Sequence, residues 1–197
     1  MAFIGKAKEN GTRIITIDTR RTLTADKSDI LICPFPGTDA ALALAIARQL
    51  IEQNLTDQAF IKKYVHGFDE FAQNLNLTSE DAEKITGVPS KTISELARII
   101  GEGPVTFLPG YGLQRHENGG QTIRSLLSLA VITGNIGKKG SGFNYANLQS
   151  CIFDKVKEPL SYYPDPENDT PFRRIISMPK LGIDMLNASE PELKAAW

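Results

Sequence analysis

Short β-branched runs alternate with helical segments along most of this chain, and this alternation restricts its possible folds more than any other feature. Runs rich in Ile, Val and Thr at residues 13–18, 30–33 and 105–108 are predicted to be strands. Helices are predicted over residues 2–9, 39–53, 57–64, 78–85, 89–100 and 118–132. Strands separated by helices usually pair in parallel. The sequence therefore predicts an α/β fold, with a parallel sheet flanked by helices in a Rossmann-like three-layer arrangement.

Local signals refine the predicted helices. Apolar residues cover most of the circumference of helix 39–53, so this helix is expected to be buried on more than one side. Thr38 and Asp39 are expected to cap its N-terminus. Thr78 and Asp81 have the spacing of a capping box. Gly101 and Gly103 are expected to end helix 89–100.

The character of the chain changes toward its C-terminal part. Residues 1–146 carry the predicted α/β domain, whereas residues 147–197 are predicted to be an irregular, Pro/Gly-rich extension with one strand at 174–177. The chain opens on a helix that precedes the first strand, and its only tryptophan is the terminal Trp197. Both features suggest a piece of a longer polypeptide, with a small domain that has ragged ends as the alternative.

Composition excludes several classes of protein. A hydrophobic content of 41% over 197 residues is too high for a disordered chain. No apolar run approaches the roughly 20 residues of a membrane span. A formal net charge of −1 gives no sign of a nucleic-acid partner. The N-terminus lacks a signal peptide, so we expect a cytoplasmic protein, although a longer parent enzyme could carry an export signal elsewhere.

The cysteine and histidine inventory also excludes metal sites with four cysteine ligands. Cys33, Cys151, His66 and His116 cannot build a four-cysteine zinc or iron–sulfur site. A disulfide framework is equally unexpected, as is usual in a reducing cytoplasm. Cys33 is expected to be a buried thiol at a strand end.

The first loop that could bind a ligand is Asp18-Thr19-Arg20-Arg21-Thr22, which follows a predicted strand. In open α/β sheets, ligands bind beyond the carboxyl ends of the strands. A carboxylate at that place can accept hydrogen bonds from a ribose diol or a purine edge. Arginines and hydroxyl groups suit phosphate oxygens. The alternative interpretation is a solvated turn.

The second loop contains Gly37, Thr38 and Asp39 at the start of a helix. The free N–H groups and the positive end of the helix dipole favour an anion. Asp39 would repel a phosphate, but its carboxylate can accept from the N1–H and N2–H₂ groups of a guanine. An ordinary helix cap that needs no ligand is the alternative.

The third loop, with Gly110, Gly112 and Gln114, also follows a predicted strand. Its glycines would let the backbone approach a ligand closely. The loop is not a G-x-G-x-x-G dinucleotide motif, because the third glycine is missing. Arg115, His116 and Asn118 follow it and could line a pocket, and a lone histidine such as His116 is more often a surface or supporting residue than a catalyst. No arrangement of nucleophile, base and orienting group stands out, so no catalytic residue is assigned.

Three sequence segments, taken in their order along the chain, resemble those of a known protein family. The segment IITIDTRRTLTADKSDILICPFPGTDAALALA, followed by ITGVP and then GYGLQRHENGGQTIRSLLSLAVITGNIGKKGSGF, resembles the molybdopterin oxidoreductases of the dimethyl sulfoxide reductase and formate dehydrogenase type. The match covers about residues 7–146. Residues 147–197 resemble the less regular stretch that follows in clostridial-type members. Thr19 stands where the commoner D-P-R version of the first loop has proline.

The resemblance implies part of the central α/β portion of a longer catalytic chain, which helps to hold bis(molybdopterin guanine dinucleotide). By this resemblance, Asp39 is the best candidate for guanine recognition, and Asp18 or Thr19 for ribose or guanine. Arg20 and Arg21 would lie near phosphates. The loop of Gly110 to Gln114 would lie nearer the pterin and the metal.

The resemblance does not extend to the family's cysteine-rich iron–sulfur segment, to the ligand of molybdenum or tungsten, or to its C-terminal barrel-like domain. We therefore expect the chain alone to be inactive and without bound cofactor. Its partners would be the other domains of the parent chain and an iron–sulfur electron-transfer subunit. A stand-alone nucleotide-binding or assembly module without redox activity is the alternative. An unrelated nucleotide-binding enzyme with a doubly wound sheet is a weaker one.

Overall fold

A computed structural model describes residues 2–145 and 181–187 of the chain. The chain divides into two units, residues 1–146 and 147–197. The first unit contains, in order, α1 (Ala2–Glu9), β1 (Ile15–Ile17), β2 (Ile30–Ile32), α2 (Asp39–Glu52), α3 (Gln58–Tyr64), α4 (Phe68–Asn74), α5 (Ser79–Thr86), α6 (Ser90–Glu102), β3 (Thr106–Phe107), α7 (Gly119–Ile132) and β4 (Gly142–Phe143).

In the second unit, the described residues form one short helix, α8 (Leu181–Leu186). This helix was not predicted, because residues 147–197 were expected to be irregular apart from one strand at 174–177. The predicted strand at 174–177 lies outside the described residues, and so does Cys151.

The strands form two parallel pairs. Ile15 pairs with Ile30 and Ile17 with Ile32 in the first pair, and the second pair joins β3 to β4. Parallel pairing and the mixture of helices and strands agree with the sequence prediction. Within the described residues the two pairs do not join into one sheet. The Rossmann-like three-layer sheet therefore stays a prediction.

Helix α2 is the centre of the first unit. It packs against α5, α6 and α7, as expected for a helix that is apolar on several sides. The apolar face predicted for α6 is also buried. The buried residues of these two helices are Leu42, Ala43, Ala45, Ile46, Ala47, Leu50, Ile93, Leu96, Ala97 and Ile100. No helix within residues 2–145 or 181–187 has the length and apolar character that a membrane crossing requires.

Two predictions about helix ends have different outcomes. The capping box is confirmed in part: the Thr78 hydroxyl accepts from the Asp81 N–H at 3.1 Å and donates to the Asp81 carboxylate at 2.8 Å. Gly101 does not end α6, because the helix continues to Glu102. A Cβ at Gly101 would lie 2.6 Å from the Cβ of Leu55, so close packing, and not helix termination, requires glycine there.

Asn135 links the end of α7 to the start of β3. Its side chain is buried, its Oδ1 accepts from the Val105 N–H at 2.9 Å, and its Nδ2 donates to the Thr133 hydroxyl at 2.8 Å. Buried polar groups that lose their partner destabilise a fold more than exposed ones. Asn135 therefore fixes the position of a strand that is only two residues long.

Asn135→Ala is expected to lower the free energy of unfolding by about 2 kcal/mol, because the Val105 N–H and the Thr133 hydroxyl each lose a partner. Urea denaturation followed by circular dichroism measures this change. Asn76→Ala, at an exposed asparagine, is the control and should change stability by less than about 0.5 kcal/mol. Equal effects of the two substitutions would contradict the assigned role.

Candidate functional site

The parallel pairing of β1 and β2 brings the first two predicted loops to one edge. Asp18 follows β1, and its N–H donates to the Ile32 carbonyl at 3.1 Å, which extends the pairing by one residue. The chain after β2 leads through Cys33 into the second loop. The carboxyl ends of both strands therefore point to the same place, as expected for a parallel pair.

Cys33 corrects one expectation. It was predicted to be a buried thiol, but it is exposed and free. Cys33 lies between two buried residues, Ile32 and Pro34, so in this extended stretch its side chain points away from the core.

The first loop is held largely by its own side chains. The Asp18 carboxylate accepts from the Arg20 N–H at 3.3 Å, and the Thr22 hydroxyl accepts from the Ala25 N–H at 3.3 Å. The Arg21 Nε donates to Asp26 at 2.5 Å, and this contact raises the pKa of Arg21. Thr19 and Arg20 are exposed. Of the two arginines predicted to lie near phosphates, Arg21 is paired with Asp26, whereas Arg20 forms no ion pair among the described residues.

The second loop is a tight turn before α2. The Thr38 N–H and hydroxyl both donate to the Phe35 carbonyl, at 3.2 Å and 2.7 Å. Gly37 has a φ of 79°, which favours glycine. Thr38 makes no side-chain capping bond to α2. Thr38 therefore occupies the predicted N-cap position, but the expected side-chain capping bond is absent because the hydroxyl donates back into the turn.

Asp39 is the most informative residue of the site. It is half-buried at the first position of α2 and takes part in no ion pair within the described residues. Burial raises its pKa above the usual range, and the charge of Asp18 acts in the same direction. The Asp39 backbone N–H and His116 oppose this change. A polar residue whose pKa is shifted by burial is a candidate for a functional site.

The third loop forms a short 3₁₀ helix, Tyr111–Arg115. Open space surrounds the Cβ positions of Gly110 and Gly112. The Gln114 side chain accepts a hydrogen bond from the Tyr145 hydroxyl, and the Tyr111 and Tyr145 rings lie 6.2 Å apart. Gln114 is therefore held by the segment that follows β4.

His116 connects the third loop with the second. A Cβ at Gly37 would lie 3.3 Å from the His116 Nδ1, so the imidazole packs directly on the Gly37 turn. The structure thus brings Asp18, Gly37, Asp39 and His116 together. No described contact brings Gly110 or Gly112 to Asp39. His116 was named only as a residue that could line a pocket, and its position after the Gly-rich loop was the signal.

The assembled groups suit recognition better than bond-making. Asp39 offers a carboxylate to N–H donors, and the Gly37 turn leaves backbone accessible beside it. Within residues 2–145 and 181–187, no group of three or more His, Cys, Asp or Glu side chains could hold a metal ion.

Comparison with known proteins gives a consistent result. A family model described as molybdopterin oxidoreductase matches residues 1–196. The F420-dependent formate dehydrogenase subunit alpha of Methanocaldococcus jannaschii is 41% identical over 151 residues, which are 76% of this chain and 22% of that protein. A probable dimethyl sulfoxide reductase chain of Escherichia coli, YnfF, is 39% identical over 161 residues, covering 70% of this chain and 20% of that one.

A solved structure is also similar. Acetylene hydratase from Pelobacter acetylenicus superposes with a TM-score of 0.66 at 27% identity, over 69% of this chain and 19% of that chain. The chain thus spans about a fifth of the length of these relatives.

Proposed function

The chain belongs to the molybdopterin oxidoreductase family, and on that premise we propose that it supplies one wall of a binding site for bis(molybdopterin guanine dinucleotide). The loops of Asp18–Thr22 and Gly37–Asp39 would hold a guanosine end, and the loop of Gly110–Gln114 would lie nearer a pterin. The observation that carries this proposal is the half-buried carboxylate of Asp39 at the start of α2, next to the Gly37 turn, which forms no ion pair with any residue in the described part of the chain.

The residues present fit a guanine in their chemistry. An ionised carboxylate has two acceptor oxygens, which match the N1–H and N2–H₂ donors on one guanine edge. Burial raises the pKa of Asp39, and the hydrogen bond from its own backbone N–H offsets that change only in part. Asp18 and Thr19 would contact ribose or guanine, and Arg20 would reach phosphate oxygens. Arg21 and Thr22 would act mainly by holding the loop, since both are engaged within it.

The cofactor would supply the redox chemistry, through its metal and pterins. The residues of this chain would bind and orient it, and we propose that the chain alone is inactive. The remaining domains of a longer catalytic chain would complete the site and the three-layer sheet, and an iron–sulfur subunit would exchange electrons with it.

Exposed apolar side chains support a fragment over a stand-alone module. Leu23 in the connection after β1 and Leu108 after β3 are 75% and 68% exposed, and Phe35 before α2 is 56% exposed. Contiguous exposed apolar surface commonly marks a place where another protein surface packs. The other domains of the parent chain would provide that cover.

Calorimetry on the 197-residue chain tests the proposed function. GMP should bind at least about tenfold more tightly than AMP, because adenine presents no pair of donors that matches a carboxylate. NAD and FAD are included to test the alternative of an unrelated dinucleotide-binding enzyme. Equal affinity for GMP and AMP, or a preference for NAD, would contradict the proposal.

A further inference from the structure

The turn that ends α5 contacts the loop that leads into α2. This turn, Thr86-Gly87-Val88-Pro89, belongs to the ITGVP segment of the family resemblance and has no role in the proposed guanosine site. The Phe35 N–H donates to the Thr86 carbonyl at 2.8 Å. A Cβ at Gly87 would lie 2.7 Å from Cζ of the Phe35 ring. The backbone and the ring of Phe35 are therefore both held by this turn, named here the Gly87 turn.

The Gly87 turn is itself fixed by the protein core. Thr86 is fully buried, and its hydroxyl donates to the Ala82 carbonyl at 2.7 Å and accepts from the Val88 N–H at 3.1 Å. Gly87 has the left-handed conformation, with a φ of 72°. Glycine is required there twice, because that backbone disfavours a side chain and because the Phe35 ring occupies the Cβ position. A rigid turn thus supports a more exposed loop.

Phe35 connects the Gly87 turn with the start of α2. Its carbonyl accepts from the Thr38 N–H at 3.2 Å and from the Thr38 hydroxyl at 2.7 Å. The Thr38 carbonyl in turn accepts from the Leu42 N–H at 3.1 Å, inside the first turn of α2. Asp39 is the next residue along the chain. A short series of contacts therefore joins the end of α5 to the backbone that carries the proposed guanine contact.

Building on the proposed guanosine site, we propose that Phe35 and Gly87 are positioning residues for guanine recognition: the Phe35 ring, packed on the Gly87 turn, fixes the backbone that presents Asp39 to the base. Two parallel hydrogen bonds to one guanine edge tolerate little displacement, since hydrogen bonds weaken steeply as their geometry departs from the optimum. A looser Phe35 would therefore weaken guanine binding without removing any group that contacts the base.

The test uses three variants and one matched control in the full 197-residue chain. Phe35→Ala removes a half-exposed ring, Gly87→Ala places a Cβ against that ring, and the double variant does both. Gly67→Ala is the control. Gly67 has nearly the same backbone, with a φ of 78°, but no atom of the described residues lies within 4 Å of its Cβ position. Both glycine substitutions therefore introduce similar backbone strain, and Gly87→Ala alone displaces the ring.

Calorimetry with GMP and AMP measures the effect on the proposed site. Phe35→Ala and Gly87→Ala should each weaken GMP binding about fivefold. Because both substitutions act through the same ring, the double variant should lose no more affinity than Phe35→Ala alone. AMP does not depend on the Asp39 contact, so its affinity should stay unchanged. Gly67→Ala should bind both nucleotides as the wild type does, and dispersed amide spectra verify that each variant is folded.

The outcomes separate this inference from the proposed function. GMP binding that is unchanged in Phe35→Ala and Gly87→Ala would overturn the positioning role and leave the guanosine site standing. Equal losses in Gly87→Ala and Gly67→Ala would assign the effect to backbone strain and overturn the inference. Losses that add in the double variant, or that are equal for GMP and AMP, would also overturn it. Failure of the wild-type chain to bind GMP would overturn the proposed function, and this inference with it.

Discussion

Gly119→Ala is expected to lower the free energy of unfolding of this chain by about 3 kcal/mol. Gly119 is buried at the start of α7, and a Cβ there would lie 2.5 Å from the Gln114 carbonyl oxygen and 2.6 Å from two further Gln114 backbone atoms. Backbone cannot rotate away as a side chain can, so either α7 or the Tyr111–Arg115 helix must move. Urea denaturation measures the loss.

The neighbouring glycine provides a matched control. Gly120 lies in the same helix, is exposed, and has open space around its Cβ position. Gly120→Ala should raise stability by about 0.5 kcal/mol, because alanine is the better helix former. A similar change in both variants would show that helix propensity, and not the close approach to Gln114, governs this position.

Asp39→Asn is expected to weaken GMP binding at least about tenfold, since each hydrogen bond to a charged group contributes about 1.5–3 kcal/mol. The amide keeps one acceptor for N1–H but presents its NH₂ group to the guanine N2–H₂, donor against donor. Xanthosine monophosphate has a carbonyl in place of that amino group, so the variant should bind it more tightly than the wild type does. Calorimetry with both nucleotides measures this reversal.

Asp69→Asn, at an exposed position on α4, is the control for Asp39→Asn and should leave the affinity for GMP unchanged. Because the reversal includes a gain of binding, loss of structure cannot produce it. Weakened binding of both nucleotides by a folded Asp39→Asn variant would contradict guanine recognition by this carboxylate.

Asp39→Asn should increase the stability of the fold, although it weakens the binding of GMP. The pKa of Asp39 is raised by burial in the folded chain, so the folded form binds the proton more tightly than the unfolded form. The protonated Asp39 carboxyl group therefore adds stability below the pKa of the unfolded chain, and this contribution is lost as the pH rises through the pKa of the folded chain. Asp39→Asn removes this dependence and should raise stability at pH 7 by less than about 1 kcal/mol.

Much of the fold followed from periodicity. The apolar positions of α2 and α6 predicted both helices and their buried faces, because a 3.6-residue period is a strong local signal. The strand β4 was missed, since it is two residues long and begins with Gly142. Helix α4 was missed although Phe68, Phe71 and Leu75 follow a helical spacing and pack against the core, because a helix of seven residues shows that period over only two turns.

Only part of the site could be predicted from local sequence patterns. The ends of parallel strands meet at one sheet edge, so Asp18 and the turn before Asp39 could be expected to be neighbours. The approach of His116 to Gly37 depends on how α7 packs on α2, and no local pattern encodes that contact. The capping hydrogen bond predicted for the Thr38 side chain is absent. The turn and the helix N-terminus compete for the same hydroxyl, and the sequence does not show which of them will bind it.

Mapping of GMP binding on the ¹⁵N-labelled chain by amide NMR tests the central claim most directly. We expect GMP to shift the amides of Asp18–Thr22, those of Gly37–Ala40 and that of His116 together, along one saturation curve, while AMP leaves them in place. Shifts confined to one of these segments, or located elsewhere on the chain, would show that the loops do not form a common guanosine site.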